Sequence, residues 1–269
     1  MNLGICPMAS SSSGNCYLIR SNRTYILLDA GISCAAVSKN LEMMDVKFWE
    51  MNGILLTHEH IDHVRGASAY CRKSNRQKFY VTEGTMQALE EKGKGIPQER
   101  TETIKDGETF NIGDIEVTAF CVSHDAREPV GYSFMRNGKK ISVVTDTGTV
   151  TKRIAESIQD SDILILEANH EENILLYGRY PYHIKHRILS DRGHLSNEAA
   201  GNCIADFLGS LSAPKIPSVM LAHLSSENNT PQQAMLTVRN ILEERGFYVG
   251  RHLKLSVIHP KEMGDLVAV

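Results

Sequence analysis

The stretch Thr57-His58-Glu59-His60-Ile61-Asp62-His63 packs four metal-capable side chains, His58, His60, Asp62 and His63, into six positions directly after the apolar run Ile54-Leu55-Leu56. No regular helix turns all four toward one point, so the spacing predicts a loop at the end of a buried strand. There His58 and His60, two apart, project to one side, while Asp62 and His63 follow the turning chain toward a neighbouring point. Ions in two-metal sites lie roughly 3.5 to 4 Å apart, and this loop is suited to serve two of them rather than one.

Three more candidate ligands close apolar strand patterns. His124 follows the alternating run 115–121, Asp146 follows Ile141-Ser142-Val143-Val144-Thr145, and His223 follows Val219-Met220-Leu221-Ala222. Taken singly, a histidine in such a place is more often a satisfied buried or loop imidazole; joint recurrence at strand ends behind the ligand loop reverses that in favour of a metal centre. Five histidines and two aspartates suit two divalent ions of the nitrogen- and oxygen-binding kind, Zn2+, Mn2+ or Fe2+. One partition assigns His58, His60 and His124 to the first ion and Asp62, His63 and His223 to the second, with Asp146 bridging.

Two ions sharing a water would lower its pKa enough for a metal-bridging hydroxide to act as nucleophile, so no serine or cysteine nucleophile is required. The leaving oxygen then needs a proton. His194, between Gly193 and Ser196 at a helix start, is the candidate acid, and Glu167 after the run 163–166 is placed to orient it. Asp62 counts with these two among the catalytic side chains as well as among the ligands. Asp29, closing the run 25–28, is expected to hold the metal loop through a ligand histidine or nearby backbone. Helix capping for His194 and a plain turn for Asp29 are the competing roles.

Substrate contacts are expected from three places. Basic and aromatic residues interleave in Arg179-Tyr180-Pro181-Tyr182-His183-Ile184-Lys185-His186-Arg187, where Tyr182, Lys185 and Arg187 are candidates for stacking a base and tracking a phosphate backbone. Ser13 and Asn15 belong to a short donor-rich run, and Ser225 and Asn228 precede the Pro231 helix, whose start is anion-friendly. A solvated helix face and a mobile turn are the alternatives. His170, His183, His186, His252 and His259 lack the strand-end setting and fall outside the metal set.

The elements that must position these groups alternate. Runs 16–19 and 25–28 around Ser21-Asn22-Arg23 read as a hairpin. A helix capped by Ser33 follows, with Cys34, Val37, Leu41 and Met44 on one stripe. Helices are expected at 64–74, 85–92 and 150–158, at 197–211 behind Ser196, and from Thr230-Pro231 to Gly246. Strands are expected at 54–56, ending at 81, and at 108–112, 115–121, 131–135, 140–145, 163–166 and 219–222, with Asn137-Gly138 turning one pair. The pattern implies an α/β chain: two sheets packed face to face with helices outside, a four-layer αββα sandwich, as one domain over residues 1–269 whose halves are rough repeats.

Composition bounds the rest. With 269 residues, 42% of them hydrophobic, a substantial core is within reach. A net charge of −3 provides no global attraction to polyanions, so nucleic-acid binding must be local. Six cysteines without a Cys-x-x-Cys pair read as reduced core thiols. With neither a basic region leading a long apolar run at the N-terminus nor about 18 consecutive apolar residues anywhere, a cytoplasmic protein without membrane attachment is expected.

Through His58-Glu59-His60-Ile61-Asp62-His63, Ser123-His124, Thr145-Asp146-Thr147-Gly148 and Ala222-His223, nearly the whole chain resembles the metallo-β-lactamase superfamily. An aspartate at 146 in place of cysteine is what the phosphodiester and thioester hydrolases of that superfamily carry. The segments 10–17 (SSSSGNCY), Leu28-Asp29-Ala30-Gly31, Gly193-His194-Leu195-Ser196-Asn197 and 223–231 are similar to the YycJ/WalJ group. That resemblance implies dinuclear-metal nucleases with 5′ to 3′ exonuclease activity on DNA. Segments 166–169 and 193–196 also resemble the Glu and His pair of RNase Z-like phosphodiesterases. Asp146 and His223 stand 77 positions apart, too close for the inserted clamp domain of β-CASP nucleases. Besides a DNA exonuclease, a small-molecule hydrolase of cyclic phosphodiesters, thioesters or lactones and a non-catalytic metal-stabilised regulatory module remain open.

Overall fold

The structure, a computed structural model, describes residues 3–260 and 262–269. Its strands are β1 (Gly4–Ser11), β2 (Gly14–Arg20), β3 (Tyr25–Leu28), β4 (Gly53–Leu55), β5 (Lys78–Thr82), β6 (Thr101–Ile104), β7 (Thr109–Ile112), β8 (Ile115–Cys121), β9 (Val130–Arg136), β10 (Lys139–Val144), β11 (Ile163–Glu167), β12 (Ser218–Ala222), β13 (Lys254–Val257) and β14 (Val267–Ala268). They form two seven-stranded mixed sheets, ordered β14-β1-β2-β3-β4-β5-β6 and β13-β12-β11-β10-β9-β8-β7. In each, an antiparallel stretch gives way to parallel strands: β3 to β6 in the first, β10 to β13 in the second. The halves thus share one grammar.

The helices are α1 (Cys34–Glu42), α2 (Ile61–Val64), α3 (Ala67–Lys73), α4 (Glu83–Glu91), α5 (Lys152–Ile158), α6 (Glu172–Tyr177), α7 (Tyr182–Ile188), α8 (Asn197–Gly209) and α9 (Pro231–Glu244). One core fills the space between the sheets, with Tyr17, Ile19 and Leu28 meeting Tyr132, Phe134, Ile141 and Ile165. A second packs α1 and α3 on the first sheet through Val37, Leu41 and Tyr70; a third packs α5, α8 and α9 on the other through Ile154, Ile204 and Val238. Alternation along β8, where Ile115, Val117 and Ala119 point inward, places one face of the strand in the central core. This is the expected four-layer arrangement.

The three expected caps form: Ser33, Ser196 and Thr230 accept from the backbone N–H of Ala36, Ala199 and Gln233. Asn137 and Gly138, both at positive φ, make the tight turn between β9 and β10. The helix expected over 64–74 is instead two, α2 and α3, parted at Gly66. A Cβ there would lie 2.4 Å from the Ile32 carbonyl oxygen, and the Gly66 N–H donates to Ala30 O at 2.7 Å. That close backbone approach interrupts the helix, and an apolar stripe does not encode it. Strands β1, β6, β13 and β14 and helix α6 were also not expected, while α7 is the helix weighed as the alternative for the basic and aromatic cluster.

Candidate metal centre

The carboxyl ends of parallel strands converge on one place, as ligand sites of open α/β sheets do. Asp29 follows β3, the segment 57–63 follows β4, Asp146 follows β10, Glu167 ends β11 and His223 follows β12, while His124 arrives from β8. His58 sits in the extended stretch before α2, His60 directly precedes that helix, and Asp62 and His63 lie in its single turn. The loop therefore bends into helix midway, which separates its two pairs of ligands.

All seven candidate ligands come together. Ligand atoms of His58, His60 and His124 lie within 4.8 Å of one another, and the same holds for His58, His63 and Asp146 and for Asp62, His63 and His223. The sets share His58 and His63, so the two groups of donors adjoin around Asp146. The Asp146 carboxylate reaches His63 Nε2 at 3.2 Å and lies 3.8 Å from His124 Nε2, in position to face both groups.

Four of the five candidate ligand histidines have Nδ1 engaged behind the ring. His63 Nδ1–H donates to Asp29 Oδ2 at 2.7 Å, His58 Nδ1 meets Thr57 Oγ1 at 3.0 Å, His124 Nδ1–H donates to Gly193 O at 2.9 Å, and His223 Nδ1–H donates to Glu167 Oε1 at 3.0 Å. These bonds fix the tautomer and turn each Nε2 lone pair inward, the arrangement of metal-binding histidines. His60 is reversed: its Nδ1 faces inward, 3.2 Å from His124 Nε2. Buried His58 Nε2, His223 Nε2 and Asp146 Oδ2 have no hydrogen-bond partner among the described residues. Buried donors of this chemistry aimed at one another fit divalent cations.

The electrostatics divide the same way. Burial, reinforced by the neighbouring imidazoles, pushes His58, His60 and His124 toward the neutral form that binds metal. Burial opposes charge on His63 and His223 too, but Asp146 with Asp29, Asp62 and Glu167 outweighs it, raising both, His223 to about 10. Those histidines in turn hold Asp62 and Asp146 well below the usual carboxylate range against the effect of burial. A cation held on this side would have to displace protons from the two imidazoles.

Of the six non-glycine residues at positive φ among the described residues, three belong to the site: Asp29 at 63°, Asp146 at 58° and His223 at 55°. Such backbone persists where the surroundings over-determine it. Here the His223 N–H donates to Ser10 Oγ at 2.9 Å, and the Asp29 N–H donates to Leu55 O at 2.8 Å.

Glu167 and His194 also lie within ligand distance of Asp146 and His223. Glu167, however, is fully buried with both oxygens already engaged: Oε2 accepts from Thr147 N–H at 2.8 Å, and Oε1 accepts from His194 Nδ1–H at 2.7 Å as well as from His223. It acts as an orienting acceptor for two imidazoles. Burial would raise its carboxyl, but His194 and His223 prevail and hold it down at about 2.

The expected substrate contacts fare differently. Ser13 is exposed in the β1–β2 turn, two residues from Asn15. Asn15 is wholly buried, its amide Nδ2 3.0 Å from His63 Nε2 and 3.4 Å from Asp62 Oδ2, so it steadies ligands rather than meeting solvent. Lys185 donates to the carbonyls of Leu176 and Gly178, tying α6 to α7 in place of a free phosphate contact. Arg187 pairs with Asp125, whose Oδ1 is 3.4 Å from His124 Nε2, and Tyr182 is 77% exposed beside His186. Buried Ser225 and Asn228 close the turn before α9, whose start Thr230 already caps. Thr57, which donates to both Asp29 oxygens, and Asp125 received no role from the sequence; adjacency to His58 and His124 was their only signal.

Residues 24–214 match a family model described as the Beta-lactamase superfamily domain. The chain is 37% identical over 261 residues to Exodeoxyribonuclease YycJ of Bacillus anthracis, covering 97% of each chain. It is also 37% identical over 265 residues to Exodeoxyribonuclease WalJ of Streptococcus pneumoniae serotype 2, covering 97% of this chain and 96% of that one. Among solved structures, the metallo-beta-lactamase fold protein YhfI of Bacillus subtilis superimposes with a TM-score of 0.72 at 14% identity over the full length of both chains, a likeness of fold. No helix among the described residues is long and apolar enough to cross a membrane.

Proposed function

Since the chain belongs to the beta-lactamase superfamily domain family, we propose that it is a metal-dependent phosphodiester hydrolase acting on DNA, an exodeoxyribonuclease that works from the 5′ end. The observation that carries this reading is the convergence of the seven candidate ligands with the Glu167–His194 pair at the carboxyl ends of the strands. Full-length similarity to two exodeoxyribonucleases supports the substrate. The shared core between the sheets supports one domain over residues 1–269.

His58, His60 and His124 would hold one divalent ion and Asp62, His63 and His223 a second, with Asp146 between them; Zn2+, Mn2+ and Fe2+ all suit these donors. When bound, the ions supply an acidified water and charge neutralisation at the phosphate. The chain's own residues do the rest. Asp29 and Thr57 lock His63 and His58 in the ligating tautomer. Glu167, ionised across the neutral range, keeps a proton of His194 on Nδ1 and fixes the orientation of the ring. That leaves Nε2 as the atom to deliver a proton to the leaving alkoxide, a positioned acid of the kind that contributes roughly 10² to 10⁴ in rate.

The test is digestion of duplex and single-stranded DNA labelled at the 5′ or the 3′ end, with metal analysis of the same sample. The expected result is two metal equivalents per chain and early loss of the 5′ label as mononucleotide. Intact DNA across Mn2+, Zn2+ and Fe2+, with turnover of a chromogenic phosphodiester, would transfer the reading to a small-molecule hydrolase; one equivalent would refute the two-ion assignment.

A further inference from the structure

A cavity of about 440 Å3 opens beside the metal loop, lined by His60, Ile61 and Asp62 together with Lys92, Lys94 and Arg187. The cations come from unrelated parts of the chain: the lysines directly follow α4, and Arg187 belongs to α7. Neither lysine forms an ion pair among the described residues; Lys92 Nζ makes a 3.5 Å contact with Glu59 O. Arg187 uses Nε and Nη2 on Asp125, which leaves its Nη1 edge unbonded among the described residues. Glu59 lines the cavity too, but it is buried, and its Oε1 accepts from the Arg127 N–H. A cation at the end of α4 is explained by the helix dipole. Two lysines and an arginine from a second element around one hollow are not.

The chain carries a net charge of −3, so a polyanion must be drawn in by a local basic surface; here three cations line one hollow, outnumbering the carboxylates of Glu59 and Asp62 that also line it. Of the two cations singled out by the sequence, Lys185 is spent on backbone carbonyls, while Arg187 lines this cavity. We infer that Lys92, Lys94 and Arg187 form the seat of the backbone phosphate next to the scissile one, holding the strand so that the scissile phosphate falls at His60 and Asp62. This rests on the nuclease reading for the polymer, though not for the phosphate chemistry. The cavity's volume suits one nucleotide unit, within the range of ligand pockets of roughly 300 to 1,000 Å3.

The experiment measures binding of a fluorescein-labelled single-stranded oligonucleotide, end-protected by phosphorothioates, to metal-replete protein over a range of salt. Each phosphate contact contributes about 0.7 to the slope of log affinity against log salt for single strands. Lys92→Ala with Lys94→Ala should lower that slope by about 1.4 and weaken binding roughly tenfold at physiological salt. Lys152→Ala, a change at a 90% exposed side chain on α5, serves as the charge control, and Lys92→Arg with Lys94→Arg should restore the slope. A double variant with the slope of the Lys152→Ala control overturns the inference. If the unaltered protein binds no oligonucleotide, the nuclease reading fails, and titration with dAMP decides the cavity: tenfold weaker binding by the double alanine variant sustains it, and equal binding overturns it.

Discussion

Replacing Glu167 by glutamine keeps the shape of the side chain while removing a charge that three donors share. The carboxylate accepts from Thr147 N–H at 2.8 Å, His194 Nδ1–H at 2.7 Å and His223 Nδ1–H at 3.0 Å. A carboxamide has one accepting oxygen and one donating nitrogen. With its oxygen toward Thr147, the NH2 group meets both imidazoles and requires each Nδ1 to be the acceptor, which moves the His223 proton to Nε2, the atom proposed to bind metal. Turned the other way, it sets NH2 against the Thr147 N–H and leaves that buried donor unpaired. Hydrogen bonds to charged groups contribute about 1.5 to 3 kcal/mol each, and loss of a partner behind a ligand histidine costs about 10- to 100-fold in metal affinity. Glu167→Gln should therefore lose occupancy of the second ion at limiting metal, measured by elemental analysis after dialysis against a metal buffer. DNA turnover should fall at least 100-fold even at saturating metal, because His194 loses its orienting acceptor. His194→Ala, which leaves the seven donors untouched, should lose the rate while keeping both ions. A Glu167→Gln protein with metal content and kcat both within twofold of the unaltered enzyme refutes the role assigned to the carboxylate.

Two further outcomes follow from the same geometry. Gly31 stands where a Cβ would lie 1.7 Å from Asp62 O and 2.4 Å from Asn15 N, so Gly31→Ala must push the first turn of α2 away from β2; a loss of about 1 to 3 kcal/mol or more should be read from urea unfolding, together with reduced metal content, and an unchanged midpoint would contradict the packing. His170 is buried with neither ring nitrogen hydrogen-bonded among the described residues, and burial, opposed by Glu167, pushes it down to about 4. Because its folded pKa is below the unfolded value, stability is full above about pH 6.5 and falls as pH drops toward 4, by about 3 kcal/mol in total. Chelated His170→Leu protein should lack this part of the decline in urea midpoints, and parallel pH curves for the two proteins would exclude it.

The sequence by itself determined what depends on short range. Loop 57–63 was legible because ligands at spacing two behind an apolar strand can serve only a turning chain, and His124, Asp146 and His223 because each terminates an apolar pattern that must be interior. Caps at Ser33, Ser196 and Thr230 were legible for the same reason, since a cap and its helix are neighbours along the chain. Tertiary structure decided what joins distant residues: which histidine Asp29 holds, the addition of His223 to the expected pairing of Glu167 with His194, the burial of Asn15 behind the ligands, the tying down of Lys185 and the gathering of Lys92 and Lys94 beside Arg187. It also decided the break at Gly66, which answers to a carbonyl more than thirty residues earlier. Local periodicity records which face of an element is buried, but not which backbone atom will lie against it; the loop of histidines identifies a metal site, while the partner of each ring nitrogen is settled only when the two sheets close on one another.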